Sequence, residues 1–341
     1  MRVVAAVDKF KGTASAASVA QAIGHACWEL GHDCTEVALA DGGEGTLDAL
    51  GGPNRTSTVT GPLGDPIDAE WRFHRGTAVI EMARASGLTL VGGPTKNDPI
   101  AASTTGTGEL IDKALDLGAE RIIVCLGGSA TTDGGLGAVR AIHAPARLRG
   151  VEFLVACDVE TRFIAAAREF APQKGASPTQ VRLLESRLER LVQLYKETHG
   201  VDVSSIDGAG AAGGLAGGLL ALGATLIPGF DMVADEVGLH DRLRNADLVI
   251  TGEGQLDITS FEGKVVGGVV DLARTNRVPV GVVCGRVDAS ARDADEFAHI
   301  DTGIVSLTDL YGDERAMNEP QWCIEHAALE LLGGSNRQND C

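Results

Sequence analysis

Short apolar runs, each closing on a polar turn that contains glycine, recur along this chain. Arg2–Val7 predicts a buried strand ending in Asp8-Lys9-Phe10-Lys11-Gly12-Thr13. Val19, Ala22, Ile23, Ala26 and Leu30 then return at three–four spacing, which predicts a helix stopped by Gly31. Thr35–Ala40 predicts a second strand, ending in Asp41-Gly42-Gly43-Glu44-Gly45-Thr46 at the entry of a short helix. Two strand–turn–helix units in succession read as the start of a parallel sheet. Their polar clusters fall at carboxyl strand ends, where open α/β sheets bind ligands.

The texture changes over 55–83. Thr56–Thr60, Ile67–Phe73 and Thr77–Met82 are rich in β-formers and separated by Gly61–Pro66 and Arg75-Gly76, the pattern of an antiparallel meander. A loop over 91–108 ends in Ser103-Thr104-Thr105-Gly106-Thr107-Gly108 and leads into a helix that stops at Gly118. Arg121–Leu126 predicts a buried strand, Leu136–Ile142 a helix, and Val151–Cys157 a strand ending in Asp158. Over 178–198, Val181, Leu184, Leu188, Leu191 and Tyr195 form an apolar stripe, which reads as a scaffold helix. The small residues of 208–223 suit close helix packing better than a phosphate-facing turn. Asp247–Ile250, a helix over 264–276, and the strands Val278–Cys284 and Ile304–Leu307 restore the β-α rhythm, and the polar tail after about 335 reads as disordered. The rhythm at both ends with a different texture between predicts a discontinuous domain, 1–50 with 240–335, and an inserted domain over 51–239.

Composition narrows the function classes. The chain is 44% hydrophobic but only 4% aromatic, so the core relies on Ala, Val, Leu and Ile. Glycine supplies 45 of 341 residues, roughly twice the usual share, and clusters at the ends of apolar runs. A net charge of −18 argues against nucleic acid or an anionic membrane as partner, while leaving room for small anions at local cations. Of seven lysines, Lys9, Lys11, Lys174 and Lys264 sit in or beside glycine-containing turns. The seven cysteines show no CxxC pair, which predicts a reduced cytoplasmic protein, and no apolar run is long enough to span a membrane.

Chemistry concentrates at strand ends. Asp8, Asp41 with Glu44, Asp133, Asp158, and Glu253 with Asp257 each follow an apolar run and lie beside glycine or a hydroxyl. One such cluster is ordinary turn chemistry. Five, with lysines and glycine-rich turns nearby, suit phosphoryl transfer: carboxylates for Mg²⁺, lysines and amides for phosphate, and a carboxylate for the acceptor hydroxyl. The stretch Gly127-Gly128-Ser129-Ala130-Thr131-Thr132-Asp133-Gly134-Gly135 stands out, because it joins a buried strand to a helix start. Read alone, it is equally a turn in which Asp133 caps a helix. No GxxxxGK[ST], GxGxxG with its acidic partner, GxSxG or HExxH is present.

These motifs together resemble the type I glycerate kinases, the bacterial glycerate 2-kinase group. The resemblance runs from Lys9-Phe10-Lys11-Gly12 to about residue 310. It rests on Ala40–Thr46, Thr60–Gly64, Glu81-Met82-Ala83 with Ser86-Gly87-Leu88, Thr104–Leu110, Gly127–Gly135, Ala156–Val159, Pro172–Ala176, Gly208–Gly214, and Thr251–Gly254 with Asp257, Gly263 and Lys264. It implies an α/β protein of two domains around a cleft: a Rossmann- or flavodoxin-like parallel-sheet domain and an inserted mixed α/β domain. It also implies ATP- and Mg²⁺-dependent phosphorylation of D-glycerate, usually at the 2-hydroxyl, by a cytoplasmic enzyme that can be a homo-oligomer.

Laid on matching positions, the implied roles are these. Gly127, Gly128, Ser129 and Thr131 hold phosphate, with Lys174 or Lys264 neutralising charge. Asp158, Glu253 and Asp257 serve Mg²⁺. Asp41 or Asp133 receives the acceptor proton, with Lys174 as a further catalytic group, while Lys9, Lys11, Glu44 and Thr105 hold the acceptor. The chain departs from the family pattern at Lys9, where serine is usual, in a shortened 143–150 segment, at Glu160–Phe163, and at Thr259, where glutamine is usual. The alternatives are a kinase for a related small hydroxy acid and a non-catalytic nucleotide-binding homologue.

Overall fold

The described residues of the computed structural model are 1–261, 263–288 and 299–338. Among them the strands run β1 (Arg2–Val7), β2 (Asp33–Ala38), β3 (Arg55–Thr60), β4 (Pro66–His74), β5 (Thr77–Glu81), β6 (Arg121–Cys125), β7 (Glu152–Cys157), β8 (Thr225–Pro228), β9 (Leu248–Thr251), β10 (Gln255–Leu256), β11 (Val280–Cys284), β12 (Arg286–Val287) and β13 (Gly303–Ser306). The chain divides into two compact units, Met1–Asp41 with Gly229 onward, and Gly42–Pro228. Both crossings fall earlier in the chain than the boundaries read from the sequence.

The first unit is built on a five-stranded sheet in the order β13-β11-β9-β1-β2, with every ladder parallel. From β1 the chain moves through helix Ala16–Glu29 to β2 on one side, and later returns with β9, β11 and β13 on the other. The direction of winding therefore reverses between β1 and β9, which opens a crevice at their carboxyl ends. Asp8 follows β1, and Gly252-Glu253-Gly254 follows β9. Both faces of the sheet are covered, as continuous apolar strands require. On one, Val3, Val7 and Val283 pack with the helices Ala16–Glu29 and Pro320–Gln338; on the other, Val282 and Cys284 pack with Val266.

The second unit has a mixed six-stranded sheet in the order β3-β4-β5-β6-β7-β8. β3, β4 and β5 pair antiparallel, and β5 to β8 pair parallel. The meander over 55–83 thus forms one edge of a parallel sheet, with β5 shared between the two patterns. Helix Pro178–His199 starts at a capping box, with Ser177 and Gln180 exchanging side-chain and backbone bonds, and buries Leu184, Leu188, Leu191 and Tyr195. Helix Ala211–Ala221 is broken near its start by left-handed residues at Ala212, Gly213 and Gly214, and its small residues pack closely on both sides of that kink. Added Cβ atoms would collide with Thr131 O at Gly213 and with the Phe163 ring at Gly217.

Several elements differ from expectation. β2 and β11 begin at Asp33 and Val280, the first two residues before and the second two after the bounds read from sequence. β8, the helices Gly229–Glu236 and Leu239–Leu243, and the helices from Leu307 onward carry no sequence expectation. The polar tail read as disordered is helical through Gln338, and its last three residues lie outside the described ones.

Candidate active site

At the β1/β9 crevice of the first unit, the loops after three strands converge. Asp8 N donates to Gly252 O, Gly285 N to Glu253 O, and Arg286 N to Gly254 O, each at 3.0–3.1 Å. Lys9 lies against Asp8, with its amide 2.7 Å and its Nζ 3.6 Å from Asp8 Oδ1. Burial, reinforced by the charge of Asp41, pushes the Asp8 carboxyl up to about 6, although Lys9 opposes it. Burial also pushes Glu253 up to about 7, with the charges of Asp8 and Asp257 adding and Ser260 and Lys264 opposing. Oε1 of Glu253 is buried without a hydrogen-bond partner among the described residues. Asp257 Oδ1 accepts from the amide and hydroxyl of Thr259, whose Oγ1 also accepts from Lys264 Nζ at 2.8 Å. Thr259 therefore ties Asp257 to Lys264. Lys11 is exposed.

The glycine stretch after β6 belongs to the second unit. Its first part is zipped to the loop after β5: Leu88 N donates to Gly128 O and Ala130 N to Ser86 O. The amide of Ala130 is therefore committed. Those of Gly127, Gly128 and Ser129 have no acceptor among the described residues. Gly128 adopts a left-handed φ of 62°, and a Cβ there would collide with Glu44 Oε1. A Cβ on Gly127 would lie 3.1 Å from Gly43 Cα. Glycine at both positions lets the Gly42–Thr46 loop seat against the stretch.

Beneath it, Lys174 Nζ donates to Ser129 Oγ at 2.8 Å and Thr131 O at 2.6 Å. Lys174 is 3% exposed, and burial pushes its ammonium down to about 7 although the charge of Asp133 favours it. Asn97 Nδ2 ties Ala130 O to Lys174 O, both at 2.9 Å. The scaffold helix also reaches this stretch, with Tyr195 Oη donating to Gly134 O at 2.8 Å.

Asp133 is held differently. Its Oδ2 accepts from Thr104 N, Thr104 Oγ1 and Gly137 N, and its Oδ1 from Gly135 N, at 2.8–3.2 Å. Asp133 thus holds the amides of Gly135, the N-cap residue of helix Leu136–Ala141, and of Gly137 in its first turn, and ties them to Thr104. Thr105 and Asp133 line a cavity of about 410 Å³ with Ser103, Glu109, Arg140 and His143. Asp158 follows β7 in the second unit, and Glu253 and Asp257 belong to the first. Among the described residues no group of three or more His, Cys, Asp or Glu is arranged to hold a metal ion. Sequence reasoning assigned no role to Glu81 or Asn97 and read Tyr195 only as part of the scaffold stripe; Glu81 carried a signal, as a buried-strand carboxylate in a matched motif.

The profile of the glycerate kinase family matches residues 3–145 and 141–333. A glycerate 2-kinase of Escherichia coli K12 is 39% identical over 325 residues, covering 84% of this chain and 85% of the relative. A glycerate kinase of Halalkalibacterium halodurans is 36% identical over 369 residues, covering 96% and 97%. A structure from Salmonella typhimurium LT2, described as a glycerate kinase 2, superposes with a TM-score of 0.82 at 35% identity, covering 98% of this chain and 99% of that one. On these matches the chain belongs to the glycerate kinase family.

Proposed function

We propose that this protein transfers the terminal phosphoryl group of ATP to a hydroxyl of glycerate, forming 2-phosphoglycerate from D-glycerate. The observation that carries the reading is the run of unpaired amides at Gly127, Gly128 and Ser129, held rigid by Lys174 and zipped to the loop after β5. Consecutive amide donors at a glycine turn are a ready anion nest, and phosphoryl transfer gains mainly from such positioning and electrostatics. Lys174 acts from below as a buried support for that nest. Lys264, tied to Thr259, supplies an accessible cation toward phosphate.

Asp41 or Asp133 receives the acceptor proton; both oxygens of Asp133 also accept from backbone and Thr104 donors, which gives that carboxylate a structural task as well. Lys9 and Lys11 meet the glycerate carboxylate. Glu253 and Asp257 would hold Mg²⁺, and the orphaned Glu253 Oε1 fits a cation as its missing partner. Bound there, Mg²⁺ would neutralise phosphate charge; it ordinarily needs only one or two carboxylates beside substrate oxygens and water. A cytoplasmic location belongs to the same reading, and the described cysteines are free thiols.

The profile match falls into two segments that meet at 141–145, beside the 143–150 segment read from the sequence as shortened, and this favours a second reading: a kinase for a related small hydroxy acid. An ADP-release assay over a panel of hydroxy acids separates the two. Magnesium-dependent turnover highest with D-glycerate, with phosphorus NMR placing the phosphate on the 2-oxygen, is the expected result. ATP binding without turnover on any acceptor would sink both.

A further inference from the structure

Glu81 ends β5 and is 2% exposed, a buried carboxylate outside the five acidic clusters singled out for chemistry. Its Oε1 accepts from Gly45 N at 2.9 Å and Leu47 N at 2.8 Å. Its Oε2 accepts from Arg84 Nε at 3.2 Å, and Arg84 in turn reaches Glu70 at 2.9 Å and Asp48 at 3.7 Å. A buried carboxylate is costly unless its charge is paired and its oxygens are bonded, and here both conditions are met.

The two amides it holds flank Thr46 and lie directly after Glu44, at the start of helix Thr46–Ala49. Gly45 sits at φ 96°, a left-handed conformation, so the loop turns sharply between Glu44 and the helix. Without the carboxylate, the amides of Gly45 and Leu47 would lose the acceptor they share from across the sheet, and two donors would be orphaned. Glu44 then projects onto Gly128, where a Cβ would collide with its Oε1, and Gly43 backs onto Gly127.

We infer that Glu81 is a positioning residue: through the amides of Gly45 and Leu47 it fixes the Gly42–Thr46 loop, and thereby the Glu44 carboxylate, against the phosphate-binding turn Gly127–Ser129. The inference rests on the proposed reading that this turn and Glu44 face the reacting groups. Arg84 orients Glu81 through its Nε, so the tether runs from Glu70 on β4 through Arg84 and Glu81 to the turn.

The test is steady-state kinetics with ATP and D-glycerate on the full-length protein, with Glu81→Ala, Glu81→Asp, Glu81→Gln and Glu44→Ala, alone and combined. Glu81→Gln keeps an oxygen for both amides, and its kcat stays within about threefold of the parent. Glu81→Asp, one methylene short, and Glu81→Ala lose kcat by about thirtyfold or more per folded molecule, a size typical of misplaced electrostatic groups. In the Glu44→Ala background the same changes cost no further kcat. A merely structural role would lower thermal stability in both backgrounds and leave kcat of the folded enzyme unmoved. Should Glu81→Ala fail to fold, Glu81→Asp, which keeps the charge and Arg84, carries the comparison. Full kcat in Glu81→Asp, or losses that add to those of Glu44→Ala, overturn the inference alone. Parental kinetics in Glu44→Ala overturn the reading of the site beneath it.

Discussion

Lys174 is an ammonium whose surroundings disfavour its charge. Burial dominates and brings it down to about 7, against 10.5 for an ordinary lysine, with the Asp133 charge only partly offsetting the loss of water. What the site gives back is two hydrogen bonds, to Ser129 Oγ and Thr131 O. The sign of the pH effect follows. Between about 7 and 10.5 the unfolded chain binds more protons at this position than the folded one, so unfolding free energy rises with pH in that window and is flat below it. Urea unfolding of the parent and of Lys174→Met at pH 7, 8 and 9 checks this. The parent-minus-variant difference grows by up to about 1.4 kcal/mol per pH unit. A difference that does not change with pH would show that the amine stays charged throughout.

At the scale of elements, Asp133 joins the start of helix Leu136–Ala141 to Thr104 at the start of Thr105–Asp116. Four donors on one carboxylate make an anchor, and Asp133→Asn is expected to lower unfolding free energy by about 1–3 kcal/mol. A general base removed in the same way would cost a factor of about 10² or more in kcat. The anchor role predicts a kcat loss below tenfold once the folded fraction is accounted for, so unfolding and kinetics on one variant separate the roles. Sequence alone left these roles undivided, because a cap and a base both read as Asp after a strand and before a helix.

Other features were legible where the signal was local. β1, β6 and the helix Pro178–His199 follow directly from apolar runs and three–four stripes, and so do the glycine turns after β1, β6 and β9. Long-range ties were not. Glu81 meets Gly45 and Leu47 across 36 and 34 residues, and Asn97 meets Lys174 across 77. Nothing in spacing announces such pairs. Helix Pro320–Gln338 is an intermediate case: Cys323, Ile324, Ala327, Ala328, Leu331 and Leu332 form a three–four stripe that packs on helix Ala16–Glu29, but its small residues make the stripe faint.

For the whole molecule, 47 acidic against 29 basic side chains leave a charge of −18 in a protein whose proposed substrates are both anions. The lysines at the turns act within a few ångströms, whereas the field of the remaining carboxylates acts at distances where salt matters. Raising NaCl from about 10 to about 150 mM shortens the screening length from about 30 to about 8 Å. That relieves self-repulsion in the folded chain and the repulsion of an approaching anion together. The thermal midpoint should therefore rise over this range, and kcat/KM for ATP should rise a few-fold in step with it. Scanning calorimetry and initial rates at fixed free Mg²⁺ measure the two. A kcat/KM that falls steeply with salt would mean that Lys9, Lys11 and Lys264 reverse the field outside the crevice. Catalysis would then be steered by local cations against the charge of the molecule, and the net charge would govern stability alone.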